Sequence, residues 1–249
     1  MRASAIALLL LLAGRPSVAA AQSAREPDRI TIQIDAGGQL SSSAFEATTT
    51  RPVYVETATI ATSYRIGRGL LGDAGVAVRV GGQFGLGVTV SSFMTKSDGE
   101  ISASIPHPFF FQTPRNVTGT ASGLRRNELA AHVQAIYTFH PSTKLDVALS
   151  GGPSMFRVEQ DVVTDIAFTD VYPYDTATFA SASTQRVRAN EIGFNVGADV
   201  TLRLTQHAGV GGGARFSKAT VSLGVPNSAS AVSTDAGGLQ LAGGLRLYF

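Results

Sequence analysis

The sequence predicts an all-β protein built as an eight-stranded antiparallel up-and-down barrel. Apolar and polar residues alternate with a period of two in eight segments, a pattern typical of strands whose two faces meet different surroundings. The connections between these segments are alternately short and long. A barrel with tight turns at one rim and loops at the other produces this order of connections.

The N-terminus carries the pattern of a secretory signal peptide. Arg2 precedes an apolar run at residues 5–13, and a small-residue cleavage site ends at Ala21. This run is shorter than the ~20 residues that a membrane-spanning helix needs. We therefore expect a signal peptide at residues 1–21, export of the chain, and a barrel domain at residues 22–249. The chain contains no cysteine, so neither a disulfide nor a cysteine-linked lipid is expected.

The first three predicted strands are ITIQIDAG, AGVAVRVG and GLGVTVSS, at residues 30–37, 74–81 and 85–92. Each places Ile, Val or Leu at every second position, with small, polar or charged residues between them. The short GGQF link between the second and third strands predicts a tight turn. A long connection, residues 41–73, separates the first strand from the second.

The other five strands follow the same rule. They are NELAAHVQAIYTF, KLDVALSG, EIGFNVGADVTLRLT, AGVGGGARFS and GLQLAGGLRLYF, beginning at residues 127, 144, 191, 208 and 238. The third long connection alternates on both sides of YPYD. This pattern predicts that the fifth and sixth strands extend beyond the membrane around that turn.

The polar face of the strands indicates which side faces outward. A soluble barrel would expose this face to water and carry many Lys and Glu, whereas here Gly, Ala, Ser, Thr, Gln and Asn dominate. Charged residues form 15% of the chain, against roughly 25% in a typical soluble domain. We therefore expect a transmembrane β-barrel with long extracellular loops, short periplasmic turns and an inward polar network. The expected lumen network is Asp35, Arg79, Glu128, His132, Asp146, Asp199, Arg203, Arg215 and Arg246.

Aromatic residues are expected to mark the two membrane interfaces. The residues expected at the short-turn rim are Phe84, Tyr137, Phe139, Tyr248 and Phe249, and those toward the long-loop rim are Phe194 and Phe216. Phe93 and Phe156 break the apolar alternation of their strands, so β-bulges are expected there.

The end of the chain carries a family resemblance. Leu241, Leu245, Leu247 and the terminal Phe249 lie at alternate positions, from which Gly243 departs. Together with the signal peptide, this pattern resembles the small outer-membrane barrels of didermic bacteria, the OmpA-, OmpX- and OmpW-like group, over about residues 30–249. The resemblance implies that these residues are an assembly signal read by the barrel-assembly machinery. It also implies an outer-membrane location, periplasmic termini, and contacts of a monomer with outer-membrane lipid and lipopolysaccharide.

Other functions have weaker support. Arg2 and Arg15 lie in the predicted signal peptide, so the rest of the chain holds 18 basic and 18 acidic residues, and no nucleic-acid partner is expected. GRGLLG at residues 67–72 matches a dinucleotide fingerprint, but a strand follows it instead of a helix, so no cofactor is expected. His107, His140 and His207 show no metal-ligand spacing.

Two loop segments leave alternatives open. The third long connection carries Glu159, Asp161, Asp165, Asp170 and Asp175, which would suit a hydrolytic or cation site, although a solvated acidic hairpin is favoured. In the second long connection, Phe109, Phe110 and Phe111 are candidates for contact with lipopolysaccharide or a hydrophobic ligand, or for packing over the barrel mouth.

The expected function is that of an integral outer-membrane barrel, not an enzyme, with a structural or surface-interaction role and an ion-paired, closed lumen. The alternatives are a narrow pore or OmpW-like hydrophobic-ligand conduit, and a loop-borne hydrolase.

Overall fold

The computed structural model describes residues 28–249, so the predicted signal peptide lies outside the described residues. These residues form ten strands and include no helix long and apolar enough to cross a membrane. The strands are β1 (Ile30–Gln39), β2 (Ser43–Val53), β3 (Glu56–Ile66), β4 (Gly69–Gly81), β5 (Phe84–Ile105), β6 (Arg115–Ser142), β7 (Leu145–Val171), β8 (Thr176–Arg203), β9 (Ala208–Leu223) and β10 (Val232–Tyr248).

Eight of these strands form a closed antiparallel ring in the order β1, β4, β5, β6, β7, β8, β9, β10. The last strand closes onto the first, with register from Thr31 opposite Tyr248 to Gln39 opposite Gln240. Closure pairs the backbone groups that a free edge would leave exposed to lipid. The predicted eight-stranded up-and-down barrel is confirmed.

The long connections are mostly strands. The first contains the hairpin β2–β3, whose second strand pairs with β5. The predicted extension around YPYD is confirmed, because β7 and β8 remain paired as far as Val171 and Thr176. We call this upper part of the molecule, residues 43–66, 96–126, 157–190 and 218–236, the stalk.

The apolar stripe of the lower barrel faces outward. Ile192 and Leu245 are 80% and 59% exposed, whereas Arg246 is 3% exposed and Asp199 is half-buried. Along β8 and the residue after it, the outward apolar residues run from Ile192 to Leu204, which at ~3.4 Å per residue and a tilt of ~40° spans about 30 Å. This apolar band matches the hydrocarbon thickness of a bilayer.

The polarity of the two faces reverses where the strands leave this band. On β6, Leu129 and Val133 face outward within the band, whereas Thr118 and Thr120 face outward in the stalk. Inside the stalk the wall is apolar, as expected where the surroundings are water. This stalk core contains Tyr64, Phe93, Phe156, Ile60, Ile105, Val117, Val158, Val162, Val221 and Leu223, all fully or almost fully buried.

The bulges expected at Phe93 and Phe156 are wrong. Phe93 opposes Leu71, and Phe156 opposes Ala130, without a shift in register. Both rings keep the phase of their strands and point into the stalk core. The inward positions of the strands change from polar to apolar residues at this height, while the alternation of inward and outward positions continues unbroken.

Six of the seven predicted interface aromatics face outward. Phe84, Tyr137, Phe139 and Phe249 are exposed at the short-turn rim, and Phe194 and Phe216 are exposed toward the stalk. The placement of Tyr248 in this girdle is wrong. Tyr248 shares the inward phase of Arg246, and its ring is buried beneath the guanidinium of Arg203.

Candidate functional site: the barrel lumen and the loop tips

Arg246 lies between two acids at the seam of the barrel. Its Nη1 contacts Asp35 Oδ1 at 2.5 Å, and its Nη2 contacts Asp199 Oδ2 at 2.5 Å. The strands β1, β8 and β10 supply the three side chains because each points inward at this height. One cation thus contacts acids from two other strands.

Two further arginines complete the ionic layer. Arg203 pairs with Asp28 and with Asp146, its Nε lying 2.5 Å from Asp146 Oδ2. Arg215 pairs with Asp73 and donates from Nε to Gln240 Oε1 at 2.9 Å. The lumen charges are therefore engaged with one another.

Three predicted members, Arg79, Glu128 and His132, lie outside this layer. Arg79 lies at the short-turn rim, where its guanidinium contacts the Gly82 carbonyl and His140 Nε2 at 3.4 and 3.3 Å. Glu128 lies higher, at the base of the stalk core. Its Oε1 accepts from Arg126 Nε at 2.6 Å and its Oε2 from the Gly237 amide at 2.8 Å.

His132 lies in a hydrogen-bonded layer between the ion pairs and the stalk core. Its Nε2 is 2.9 Å from Ser91 Oγ, and its Nδ1 is 2.8 Å from Ser154 Oγ. Asn195 Nδ2 donates to the same Ser154 Oγ at 2.9 Å, and its Oδ1 accepts from Gln134. The imidazole is fully buried with both nitrogens engaged.

Sequence reasoning missed three partners in these pairs: Asp28, Asp73 and Arg126. The last two were placed in long connections, although each keeps the inward phase of the strand beside it, two residues from Gly75 and Glu128. Extending the alternation past the apolar residues would have found both. Asp28 lies before the first strand, where no alternation exists to place it.

A cavity of about 170 Å³ occupies the lower lumen. It reaches from Asp28, Gln83 and Tyr248 at the short-turn rim to Leu71 and Gln240 in the barrel wall. Its lining includes all three arginine ion-pair groups. Above it the interior is occupied by the stalk core.

Four of the five acids of the third long connection are paired with arginines of other strands, and the fifth, Asp175, lies 3.8 Å from His107 Nε2. Glu159, Asp165 and Asp170 lie within 3.0 Å of Arg188, Arg51 and Arg115, respectively. The hydrogen bonds that Arg186 donates hold the pKa of Asp161 below its usual range. Within residues 28–249, no three acidic or histidine side chains form a group that would hold a metal ion.

The far end of the stalk carries an aromatic tip made by three adjacent turns. Phe109, Phe110 and Phe111 are 67%, 62% and 72% exposed, so they do not pack over the barrel mouth. Tyr54 and Val55 come from the β2–β3 turn, and Val171 and Tyr172 from the β7–β8 turn. We call these seven residues the aromatic tip.

Hydrogen bonds beneath the aromatic tip hold its turns together. His107 Nδ1 accepts the amides of Phe109 and Phe110, each at 3.1 Å. Asp170 accepts from Arg115 at 2.6 Å and from Tyr54 Oη at 2.8 Å. Burial opposes ionisation of Asp170, but these two donors hold its pKa below the usual range. We call the group Tyr54, Arg115 and Asp170 the tip clamp.

No protein-family profile and no curated protein matches the sequence. Among solved structures, the chain is similar to Neisserial surface protein A, with 15% identity, 88% of this chain and 97% of the other covered, and a TM-score of 0.41. The outer membrane protein OprG from Pseudomonas aeruginosa is 8% identical over 89% and 96% of the two chains, with a TM-score of 0.47. The outer membrane protease OmpT from Escherichia coli is 11% identical over 90% and 97%, with a TM-score of 0.49.

These similarities do not assign an activity to the chain. The closed ring and its apolar exterior carry the assignment of the fold. By these features the chain is a small eight-stranded antiparallel up-and-down β-barrel with an apolar outer band.

Proposed function

We propose that this protein is a closed outer-membrane barrel whose role is surface interaction through its stalk. One observation carries the proposal: above the ionic layer and the hydrogen-bonded layer of His132, the interior is filled with packed apolar side chains. Phe93, Phe156 and Tyr64 are each almost fully buried across this section. Ion passage would require opening this core and desolvating the ion within it, which is strongly unfavourable.

The charges outside the barrel support an orientation with the stalk outside the cell. Just above the apolar band, the outward side chains include Arg125, Arg157, Arg188 and Lys218. Lys218 pairs with Asp235, and Arg188 and Arg157 flank Glu159, so these four bases exceed the acids beside them. This basic excess suits the phosphate groups of lipopolysaccharide in the outer leaflet. In this orientation both ends of the described chain lie at the periplasmic rim. Proteolysis of intact cells should then cleave only in the stalk turns, and cleavage at the short turns would contradict the orientation.

The test of the closed lumen is conductance. Purified protein that shifts in gel mobility on boiling, the usual behaviour of folded membrane barrels, is added to planar lipid bilayers. We expect no steady conductance steps, because the stalk core blocks the path. Steady steps in wild type that persist in a second folded preparation would overturn the closed lumen and favour the narrow pore.

The proposal also predicts that the stalk acids have no hydrolytic role. Asp161, Asp165 and Asp170 each serve an ion pair with a different arginine, which leaves no carboxylate pair aimed at a common substrate. Peptide hydrolysis by the folded barrel that disappears in the three Asp→Asn variants, with mobility unchanged, would show that the protein is an enzyme.

A further inference from the structure

We propose that the aromatic tip is a docking surface for the zwitterionic face of an opposing bilayer, whose headgroups carry quaternary ammonium groups. This inference rests on the proposed function, because it requires the stalk to point away from the cell.

The aromatic tip is convex. A ring lining a groove would be shielded on both sides, but Phe111 and Tyr172 are 72% and 83% exposed. Protruding rings fit a soft, deformable surface better than a rigid one. Phenyl and tyrosyl rings also favour the interfacial region of a bilayer, where the ring is buried and polar atoms remain hydrated.

The charge around the aromatic tip selects the headgroup. Residues 52–57, 106–114 and 170–176 contain three acids and no Lys or Arg, and the only histidine there, His107, is buried. Asp170 is neutralised by Arg115. Asp175 lies 3.8 Å from His107 Nε2 and keeps a largely exposed carboxylate, and Glu56 accepts a hydrogen bond from the amide of Gln112. This excess of negative charge repels anionic lipids and polyanions and attracts a cationic headgroup.

Ring geometry supplies the recognition of a quaternary ammonium group. Tyr174 lies at the centre of three rings, edge to face with Phe109 at 5.3 Å and with Tyr172 at 5.8 Å. Asp175 follows directly in the chain. Aromatic faces attract an alkylated ammonium through their quadrupoles, and an adjacent carboxylate adds to that attraction.

The aromatic tip is also preorganised and distant from its own membrane. The tip clamp joins the β2–β3 turn to strands β6 and β7, so binding does not have to order three separate loops. On β5, the strand continues from Met94 at the edge of the band to Ile105, which at ~3.3 Å per residue and ~40° tilt is roughly 28 Å. At this height the aromatic tip is outside the bilayer that holds the barrel, so a bilayer that it contacts belongs to a second membrane.

The experiment uses full-length protein in nanodiscs and measures co-flotation with vesicles of phosphatidylcholine or of phosphatidylglycerol. We expect binding to phosphatidylcholine and at least tenfold weaker binding to phosphatidylglycerol. A variant with Phe109, Phe110 and Phe111 changed to Ser should lose about tenfold or more of its affinity for phosphatidylcholine, because each ring loses apolar burial. A matched control changes the outward stalk residues Thr118 and Thr120 to Ala and should bind as wild type.

A second variant tests the charge argument. Asp175→Asn should reduce the preference for phosphatidylcholine over phosphatidylglycerol by severalfold without loss of the heat-modifiable fold. Unchanged vesicle binding in the phenylalanine variant would overturn the proposal, as would absent binding in wild type. Association of nanodiscs with one another through the aromatic tip, in place of vesicles, would assign the surface to a second copy. These results do not depend on conductance, so failure here and failure of the closed lumen are distinguishable.

Discussion

At the residue scale, Arg246 joins two acids of the lumen. Its two nitrogens serve Asp35 and Asp199, which come from strands far apart in the chain. Removing one partner of a buried ion pair leaves a charge without compensation, and this costs more than the pair itself is worth.

Arg246→Met should therefore lower the free energy of unfolding by about 3–5 kcal/mol, because it leaves two carboxylates unpaired in the lumen. Urea unfolding of protein reconstituted in vesicles measures this change. The control is Arg188→Gln, whose side chain is 60% exposed and whose partner Glu159 keeps Arg157 at 3.8 Å, so this change should cost less than about 1 kcal/mol. Equal losses in the two variants would show that the lumen pairs are solvated.

The sequence predicted the inward direction of individual charged side chains wherever the alternation of the strand was clear. Asp35, Asp146 and Arg203 lie in strands with clear alternation, so their inward direction follows from parity. Their partners could not be predicted, because the pairs join residues up to 211 positions apart and the stagger of the barrel decides which side chains meet.

At the element scale, the β1–β10 seam leaves no room for a side chain at Gly244. A Cβ on Gly244 would lie 1.9 Å from the Ile34 carbonyl oxygen and 2.8 Å from the Asp35 Cα. Both atoms belong to the backbone, so neither can move aside without separating the strands. Glycine at this position is therefore required for closure.

Gly244→Ala should reduce the fraction of protein that reaches the folded, heat-modifiable form, because the added methyl group separates the closing strands. Gel mobility before and after boiling measures this fraction. Gly72→Ala is the matched control, since an added Cβ there meets nothing within 4 Å. Normal folding of the Gly244 variant would mean that the seam has slack.

The tip clamp makes an acid-sensitive connection between elements. The pKa of Asp170 is lowered from its usual 3.8. The stabilisation that ionised Asp170 gives to the folded tip is therefore complete above that value, and it is lost as the pH falls through the lower folded-state pKa. Carboxyl-carbon NMR should find its titration midpoint below 3.8. Tyr54→Phe removes one donor and should raise this midpoint, whereas Tyr172→Phe should leave it unchanged. A midpoint unaffected by Tyr54→Phe would contradict the clamp.

The strands within the apolar band were predictable because lipid and lumen impose opposite polarity at every second position. The hairpin β2–β3 was not, because its strands carry Thr, Ala and Glu, whose alternation is weak, and only β3 pairs with the barrel, along β5. Most strands of the stalk could therefore not be predicted, because they lie in long connections whose alternation lacks a strong apolar stripe.

At the scale of the whole molecule, one sheet passes through two environments, the lipid of the membrane and the water above it. The same strands expose valine and leucine to the membrane and threonine and arginine above it, while the interior changes in the opposite sense. The sequence contains this reversal. Because apolar residues were expected to face outward along the whole of each strand, Phe93 and Phe156 were wrongly assigned to bulges.

This division predicts where a charge is tolerated. Val200→Arg, near the middle of the apolar band, should cost about 2–4 kcal/mol in the free energy of unfolding from vesicles. Thr120→Arg, outward in the stalk, should change it by less than about 0.5 kcal/mol. Similar costs at both positions would place the membrane elsewhere on the barrel.

The polarity reversal also fixes how deeply the protein is immersed. A shift by two residues along the strands, roughly 5 Å along the membrane normal, would either drag Arg157 into acyl chains or lift Met155 into water. The barrel cannot relieve a mismatch by sliding, so the lipids around it must stretch or compress. Membranes of unsuitable hydrocarbon thickness should therefore exclude this protein, and in a suitable one its outermost turns stand at a constant height.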